Sequence, residues 1–127
     1  MTSDALRTLT DYYRAFSTLK LDAIFPFFHE PATLISSQGV FVAAKPADVA
    51  AVFQQAIDGL RAAGFGHSEL AVKDERSLSA TASLIRGVAI RYHADGHELN
   101  RAGVTYVLNR TGDTWKIAVL ILHDVVE

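Results

Sequence analysis

The sequence has no cysteine among its 127 residues and only three prolines. Disulfide bonds and thiolate metal sites are therefore excluded, and a reducing compartment is permitted. The chain also lacks an apolar run of about 20 residues, the length needed to cross a bilayer. Its first residues, Met1 to Asp4, have neither the basic nor the apolar region of a signal peptide. We therefore expect a cytoplasmic protein with no membrane contact.

An excess of basic charge is missing as well. The chain has 12 Lys and Arg against 14 Asp and Glu, a net charge of −2, and its basic residues are scattered from Arg7 to Lys116. Without a basic stripe, nothing indicates binding to nucleic acid. Half of the residues are apolar and a fifth are charged, which is typical of globular proteins and excludes disorder. A chain of this length predicts a single domain over residues 1–127.

Three segments have the apolar spacing of amphipathic helices. The first runs from about Ser3 to Leu19, with Ser3 as its N-cap. The second is predicted from about Asp22 to Phe28 and is expected to stop at Pro31. The third and longest opens at Pro46 and continues to about Ala63, where glycines follow.

The rest of the chain has the pattern of strands and turns. Short strands are predicted at Thr33–Ile35 and Val40–Val42, and from Ser68 onward every segment is strand or turn. Asp95-Gly96 is a strong two-residue hairpin signal. The last strand, Trp115 to Val126, is apolar at both odd and even positions. Since side chains alternate between faces, such a strand needs cover on both sides of the sheet.

That last strand leads to an expectation about assembly. The helices can cover only one face of the sheet, and soluble monomers seldom expose a large apolar patch. We therefore expect a homodimer formed through the convex face of the sheet. The alternative is that the helices wrap further around the sheet.

The order of these elements resembles the nuclear-transport-factor-2-like (NTF2-like) superfamily, and within it the SnoaL-like group. The resemblance spans nearly the whole chain and lies in these segments: Tyr12-Tyr13-Arg14-Ala15-Phe16, Leu21-Asp22-Ala23-Ile24, Phe28-His29-Glu30-Pro31-Ala32-Thr33, Asp95-Gly96 and Gly112-Asp113-Thr114-Trp115-Lys116-Ile117. It implies a cone-shaped, cystatin-like α+β fold in which about three N-terminal helices pack on a strongly curved mixed or antiparallel sheet. It also implies a pocket at the open end of the cone and, commonly, a dimer. It implies no single activity, because members include isomerases, cyclases, dehydratases, epoxide hydrolases and subunits without catalysis.

The similarity to the steroid isomerases of this superfamily can be followed residue by residue. Those enzymes use an Asp base opposite an oxyanion hole made of a Tyr and a protonated Asp, one of the standard examples of pKa tuning. An ungapped match from Tyr12 to Gly39 puts their tyrosine on Tyr12 and their base on Ser36, and outside that match the resemblance puts their second acid on Val104. Since serine and valine cannot perform those steps, we reject that reaction for this chain.

Other polar residues remain as candidates for chemistry. His123 and Asp124 form an acid–base pair, although neighbouring strand residues face opposite ways unless a bulge intervenes. The resemblance to the steroid isomerases implies that Leu120, Leu122 and Asp124 face the inside of the cone, and the alternative is that His123 and Asp124 are both solvated. Arg86 lies on an apolar strand and needs a partner if it faces inward, whereas a salt bridge at the dimer face or a solvated position is the alternative. Arg91 and Arg101 are expected on exposed faces.

These observations predict a small-molecule binding domain with a largely apolar pocket and a small apolar or amphipathic ligand. The sequence leaves open whether the domain also acts as a cofactor-independent isomerase or cyclase. The alternative is a non-catalytic homodimeric assembly partner. No cofactor is expected, and no metal, because His93, His97 and Glu98 near the hairpin lack an evident further ligand. The candidate catalytic groups are Tyr12, Arg86, His123 and Asp124, and the expected pocket lining is Phe16, Phe28, Phe41, Phe53, Ile57, Tyr106 and Leu122.

Overall fold

The structure, a computed structural model, describes residues 2–125. Its helices are α1 (Asp4–Phe16), α2 (Leu21–Ile24), which a 3-10 turn (Phe25–Phe27) extends, and α3 (Pro46–Ala62). Its strands are β1 (Phe28–Ser36), β2 (Gly39–Ala43), β3 (Phe65–Ser79), β4 (Ala82–His93), β5 (Glu98–Thr111) and β6 (Thr114–His123). The strands form one curved sheet in the order β2-β1-β6-β5-β4-β3. The predicted α+β fold, with three helices on a curved mixed sheet, is confirmed.

The last strand lies in the middle of this sheet. β6 pairs in parallel with β1 and antiparallel with β5, and it is the parallel pair that makes the sheet mixed. Ile117 and Leu120 face the helices and are buried, while Val119 and Ile121 on the other face are partly exposed. The helices therefore cover the concave side chains of β6, whereas the apolar side chains on its convex face have no such cover within residues 2–125. Val126, the expected end of the strand, lies outside the described residues.

The first helix begins as predicted but ends earlier. The Ser3 hydroxyl accepts a hydrogen bond from the backbone N–H of Leu6 at 3.0 Å, so that Ser3 is the N-cap. The helix ends at Phe16 rather than near Leu19, because Leu19 takes a left-handed backbone conformation with φ of 57°. The apolar stripe of α1, which includes the fully buried Leu9, packs against the concave face of the sheet.

The second helix is shorter than the sequence predicts. Regular α-helix covers only Leu21–Ile24, the 3-10 turn carries Pro26, and Phe28 already begins β1. Since proline has no N–H to donate, the α-helical ladder cannot continue through this segment. The prediction that Pro31 ends the second helix is wrong. Pro31 lies within β1, after a cis peptide bond.

The longest helix matches its prediction closely and closes the second side of the cone. α3 begins at Pro46 and ends at Ala62, and its buried face consists of Val49, Ile57 and Leu60. The core lies between these helices and the concave face of the sheet. No helix in residues 2–125 is long and apolar enough to cross a membrane.

Candidate functional site

The closed end of the cone is filled by aromatic side chains. Tyr12 is 4% exposed, and its ring lies edge-on to the rings of Tyr13, Phe28 and Tyr106 at centroid distances of 5.6, 5.6 and 6.2 Å. Edge-to-face pairs of this kind are typical of packed aromatic cores. Burial, together with the neighbouring Tyr13, raises the pKa of Tyr12 well above its ordinary value. Tyr12 is therefore a protonated core residue.

Two other tyrosines form a buried hydrogen-bonded pair. The hydroxyl oxygens of Tyr13, on α1, and Tyr106, on β5, lie 2.6 Å apart. Burial raises the pKa of Tyr13 to about 12, although the hydrogen bond to Tyr106 and the positive charge of Arg91 act in the opposite direction. Burial also raises the pKa of Tyr106 well above its usual value. At neutral pH both phenols keep their protons, so they act as hydrogen-bond donors and acceptors rather than as bases.

The same interior contains a cation that the sequence analysis placed on an exposed face. Arg91, near the end of β4, points to the concave side of the sheet, where its guanidinium carbon lies 5.9 Å from the centroid of the Phe16 ring. Its Nε atom is shut off from solvent and has no hydrogen-bond partner within residues 2–125. The expectation for Arg91 is therefore wrong, because this residue shares a strand face with the buried Ile85 and Ala89.

The surroundings of Arg91 offset its burial only in part. A cation over an aromatic face gains about 0.5–2 kcal/mol, and an unmade hydrogen bond of a buried donor costs about 1–3 kcal/mol. None of the six ion pairs found among the described residues includes Arg91. Arg91 is thus half-buried, and its Nε atom has neither solvent contact nor a hydrogen-bond partner within residues 2–125.

Arg91 borders a small hollow of about 40 Å³ beneath the aromatic cluster. A water molecule occupies about 30 Å³ in the liquid, so the hollow has room for one small polar group. The lining combines polar atoms of the tyrosines, Ser68 and Arg91 with apolar side chains of the sheet and helices. Its residues are Tyr12, Tyr13, Phe16, Phe53, Ser68, Ala89, Arg91, Val104, Tyr106, Leu120 and Leu122.

A larger apolar groove adjoins this hollow at the open end of the cone. It has a volume of about 320 Å³ and lies between the β1–β2 hairpin, α3 and the end of β6. Phe53, Leu120 and Leu122 border both the groove and the hollow. Outward, the groove joins a wider depression of about 850 Å³ that Ser36, Val52 and Leu122 also line. The groove alone falls within the range of about 300–1,000 Å³ typical of ligand pockets.

The expected lining residues divide into two groups. Phe16, Phe41, Phe53, Tyr106 and Leu122 border the hollow or the groove. Phe28 is 2% exposed and packs in the core against Phe53, with 5.4 Å between ring centroids. Ile57 is also buried and borders a surface depression between α2 and α3 instead. The sequence therefore predicts which apolar residues lie near the cavity, but it does not distinguish those that border it from those buried in the core behind it.

The remaining candidate groups lie away from the hollow. Arg86 follows Ile85, which faces the concave side, so its own side chain lies on the convex face of β4. It is exposed there and does not enter the cone. His123 ends β6, and its Nδ1 atom lies 2.7 Å from the backbone oxygen of Asp124. Because that oxygen only accepts, Nδ1 is the donor, and in the neutral ring Nε2 accepts from the Thr105 hydroxyl at 2.9 Å. Asp124 follows the strand and is exposed; with His123 it borders only the wide depression.

The positions taken from the steroid isomerases do face these cavities. Ser36, at the end of β1, borders the groove, and Val104, on β5, borders the hollow. Neither side chain transfers a proton near neutral pH, so the cavity lacks that acid–base pair. Among residues 2–125, no group of three or more His, Asp and Glu side chains is arranged to hold a metal ion.

The sequence of this chain fits one established family. The model of the family described as NTF2-like protein (DUF6841) matches residues 3–125. The chain belongs to this NTF2-like family. The chain matches no curated protein.

Solved structures with the same fold have low sequence identity to this NTF2-like protein. A domain of unknown function with a cystatin-like fold from Nostoc punctiforme PCC 73102 has a TM-score of 0.77 and 19% identity, over 100% of this chain and 81% of that one. An NTF-2 like protein of unknown function from Shewanella oneidensis MR-1 has a TM-score of 0.73 and 18% identity, over 94% and 95%. A ketosteroid isomerase-like protein from Erwinia carotovora atroseptica has a TM-score of 0.70 and 15% identity, over 97% and 95%. Similarity at this level shows the fold alone.

Proposed function

We propose that this NTF2-like protein binds a small apolar or amphipathic molecule in the groove at the open end of its cone. The observation that carries the proposal is the continuity of the apolar groove of about 320 Å³ with the smaller hollow behind Phe53 and Leu122, which Tyr13, Tyr106 and Arg91 also border. Ligand pockets are typically apolar and contain a few convergent polar groups, and this cavity has that composition.

Binding is favoured over acid–base catalysis by the kinds of side chain in the cavity. The inner end offers the hydroxyls of Tyr13 and Tyr106 and the guanidinium of Arg91, all of which donate hydrogen bonds at neutral pH. An isomerase or cyclase also needs a base within reach of the reacting atoms. His123 and Asp124, the candidates, border only the outer depression. An enzymatic role therefore requires a substrate whose reactive carbon lies at the mouth.

A neutral fluorescent dye tests the proposal. N-phenylnaphthylamine should bind saturably and brighten, because the groove removes it from water. Leu122→Trp, which fills the groove, should weaken binding about tenfold, corresponding to about 1.4 kcal/mol. Leu78→Trp is the matched control, since Leu78 is an exposed leucine on β3 that borders neither the groove nor the hollow. Absence of saturable binding, or equal binding by both variants, would contradict the proposal.

We propose as a second function that the chain forms a homodimer through the convex face of its sheet. The helices contact the concave side, while the convex side carries a row of apolar residues on adjacent strands. Val40 and Val42 are 68% and 61% exposed. The row comprises Ile35, Val40, Val42, Val107, Val119 and Ile121.

A second copy of the chain suits this face better than a charged partner does. Exposed apolar patches of this kind are characteristic of protein interfaces, and the face carries charges of both signs, since Arg86 is paired in register with Asp74. Two copies related by a twofold axis therefore meet over an apolar centre without an excess of like charge.

Light scattering after gel filtration should give the dimer mass, and Val119→Asp should give the monomer, whereas Leu78→Asp should not. A monomeric wild-type protein at about 100 μM would contradict dimerisation, since standard interfaces bind far more tightly.

A further inference from the structure

We infer that the ligand of this protein is an amphipathic monocarboxylate whose head group binds to Arg91 in the hollow. The inference rests on the proposed binding function and specifies the class of ligand. Its starting point is the Nε atom of Arg91, a buried donor that no residue in the range 2–125 accepts from. Since buried polar groups in native proteins are nearly always hydrogen-bonded, this donor indicates a partner from outside the chain.

The groups around the hollow determine the charge of that partner. Tyr13 and Tyr106 share one hydrogen bond between their hydroxyls, so one of their two protons remains free to donate to a third group. Tyr13, Tyr106 and Arg91 are all among the residues that border the same hollow. No carboxylate side chain lines it among the described residues. The hollow therefore presents donors and a positive charge, which complement an anion and not a cation.

The dimensions of the cavity distinguish between anions. The hollow of about 40 Å³ accommodates a group of carboxylate size, and the adjoining groove of about 320 Å³ accommodates an apolar body. Arginine binds a planar carboxylate through two parallel N–H donors, one of which can be Nε–H. The guanidinium carbon of Arg91 lies 5.9 Å from the centroid of the Phe16 ring, and both side chains line the hollow. A linear fatty acid has this combination of head and body.

Decanoate and decanol, which differ only in the head group, provide the test. Competition with N-phenylnaphthylamine at neutral pH should show decanoate binding about tenfold more tightly than decanol, a difference of about 1.4 kcal/mol. Arg91→Met should remove this preference by weakening decanoate at least about tenfold while leaving decanol unchanged. Tyr106→Phe should weaken decanoate by a smaller factor, because it removes one donor and keeps the charge.

The matched control is Arg86→Met, which removes an arginine from the opposite face of the same strand. This variant should bind decanoate as the wild type does. Equal affinity of the wild type for both probes, or unchanged decanoate binding by Arg91→Met, would overturn the inference while leaving the binding function intact. If the dye and both probes fail to bind, the proposed function and the inference fail together. Circular dichroism and urea unfolding of each variant verify that the fold is retained.

Discussion

The buried hydrogen bond between Tyr13 and Tyr106 allows a sharp test of the architecture behind the groove. The two residues are 7% and 2% exposed, and their hydroxyl oxygens are 2.6 Å apart. Replacing either tyrosine by phenylalanine removes one hydroxyl and little volume. The remaining hydroxyl then lies in an aromatic environment without its partner, and we expect each single change to lower the free energy of unfolding by about 1–3 kcal/mol.

The double variant distinguishes a direct hydrogen bond between the two hydroxyls from independent contributions of each hydroxyl to stability. When both hydroxyls are removed, neither member of the pair is left without its partner, and the two apolar rings replace them at nearly the same shape. We therefore expect Tyr13→Phe with Tyr106→Phe to cost no more than the larger single change. The resulting coupling energy should be about 1–3 kcal/mol, within the range for residues in direct contact.

Equilibrium unfolding in urea measures all four proteins, provided that the dependence on urea concentration is the same for each. Thermal midpoints should change in the same order, by about 2–8 °C for each kcal/mol. Tyr92→Phe is a suitable control, since Tyr92 is stacked on His67 at a ring distance of 4.8 Å and lies outside the hollow. Strictly additive effects of the two phenylalanines would refute the direct hydrogen bond.

Four further predictions concern stability. Because burial raises the pKa of Tyr13 from 10.0 to about 12, the folded state holds this proton more tightly than the unfolded state does. The contribution of this proton to the free energy of unfolding is complete below pH 10.0 and should be lost as the pH rises toward about 12. Urea midpoints that do not change over this pH range would contradict the prediction. Gly87→Ala should destabilise the protein by about 3 kcal/mol, because its Cβ would lie 2.4 Å from the backbone oxygen of Ala71. Gly59→Ala, in a helix with open space around it, should instead raise the free energy of unfolding by about 0.5–1 kcal/mol in the same assay. Ser3→Ala should lower the thermal midpoint, since loss of an N-cap costs about 1 kcal/mol, and an unchanged midpoint would contradict the cap.

The sequence predicts most of the fold because its local signals agree with its apolar periodicity. Ser3 and Pro46 mark helix starts at their observed places, and the hairpin glycines Gly96 and Gly112 have positive φ angles. The prediction of one helix from Asp22 to Phe28 is wrong. Apolar residues spaced for a helix also suit a short helix that passes into a buried strand, as this segment does.

The candidate site was predicted less well, because strand parity alone does not say which face of a sheet the helices cover. Both faces of β4 carry apolar residues, so Arg86 and Arg91 are equivalent by pattern although they point to opposite sides. The missed signal is residue size. Ala89 shares the face of Arg91 and borders the hollow, and this small residue leaves space in which the long arginine side chain can turn into the cone. Residues from α1, distant in sequence, then decide what the guanidinium contacts.

This arrangement also bears on why an interior arginine is compatible with a stable domain of this size. Arg91 is half-buried and has no acidic partner among residues 2–125, and replacement of buried charges by apolar residues is often neutral or stabilising. If Arg91 serves the head group of a ligand, Arg91→Met should leave the ligand-free protein at least as stable as the wild type while removing carboxylate recognition. Stability and binding then change in opposite directions, as is common where a site is built at the expense of the fold. An Arg91 with only a packing role predicts instead that both decline together, so urea unfolding beside the decanoate measurement separates the two roles.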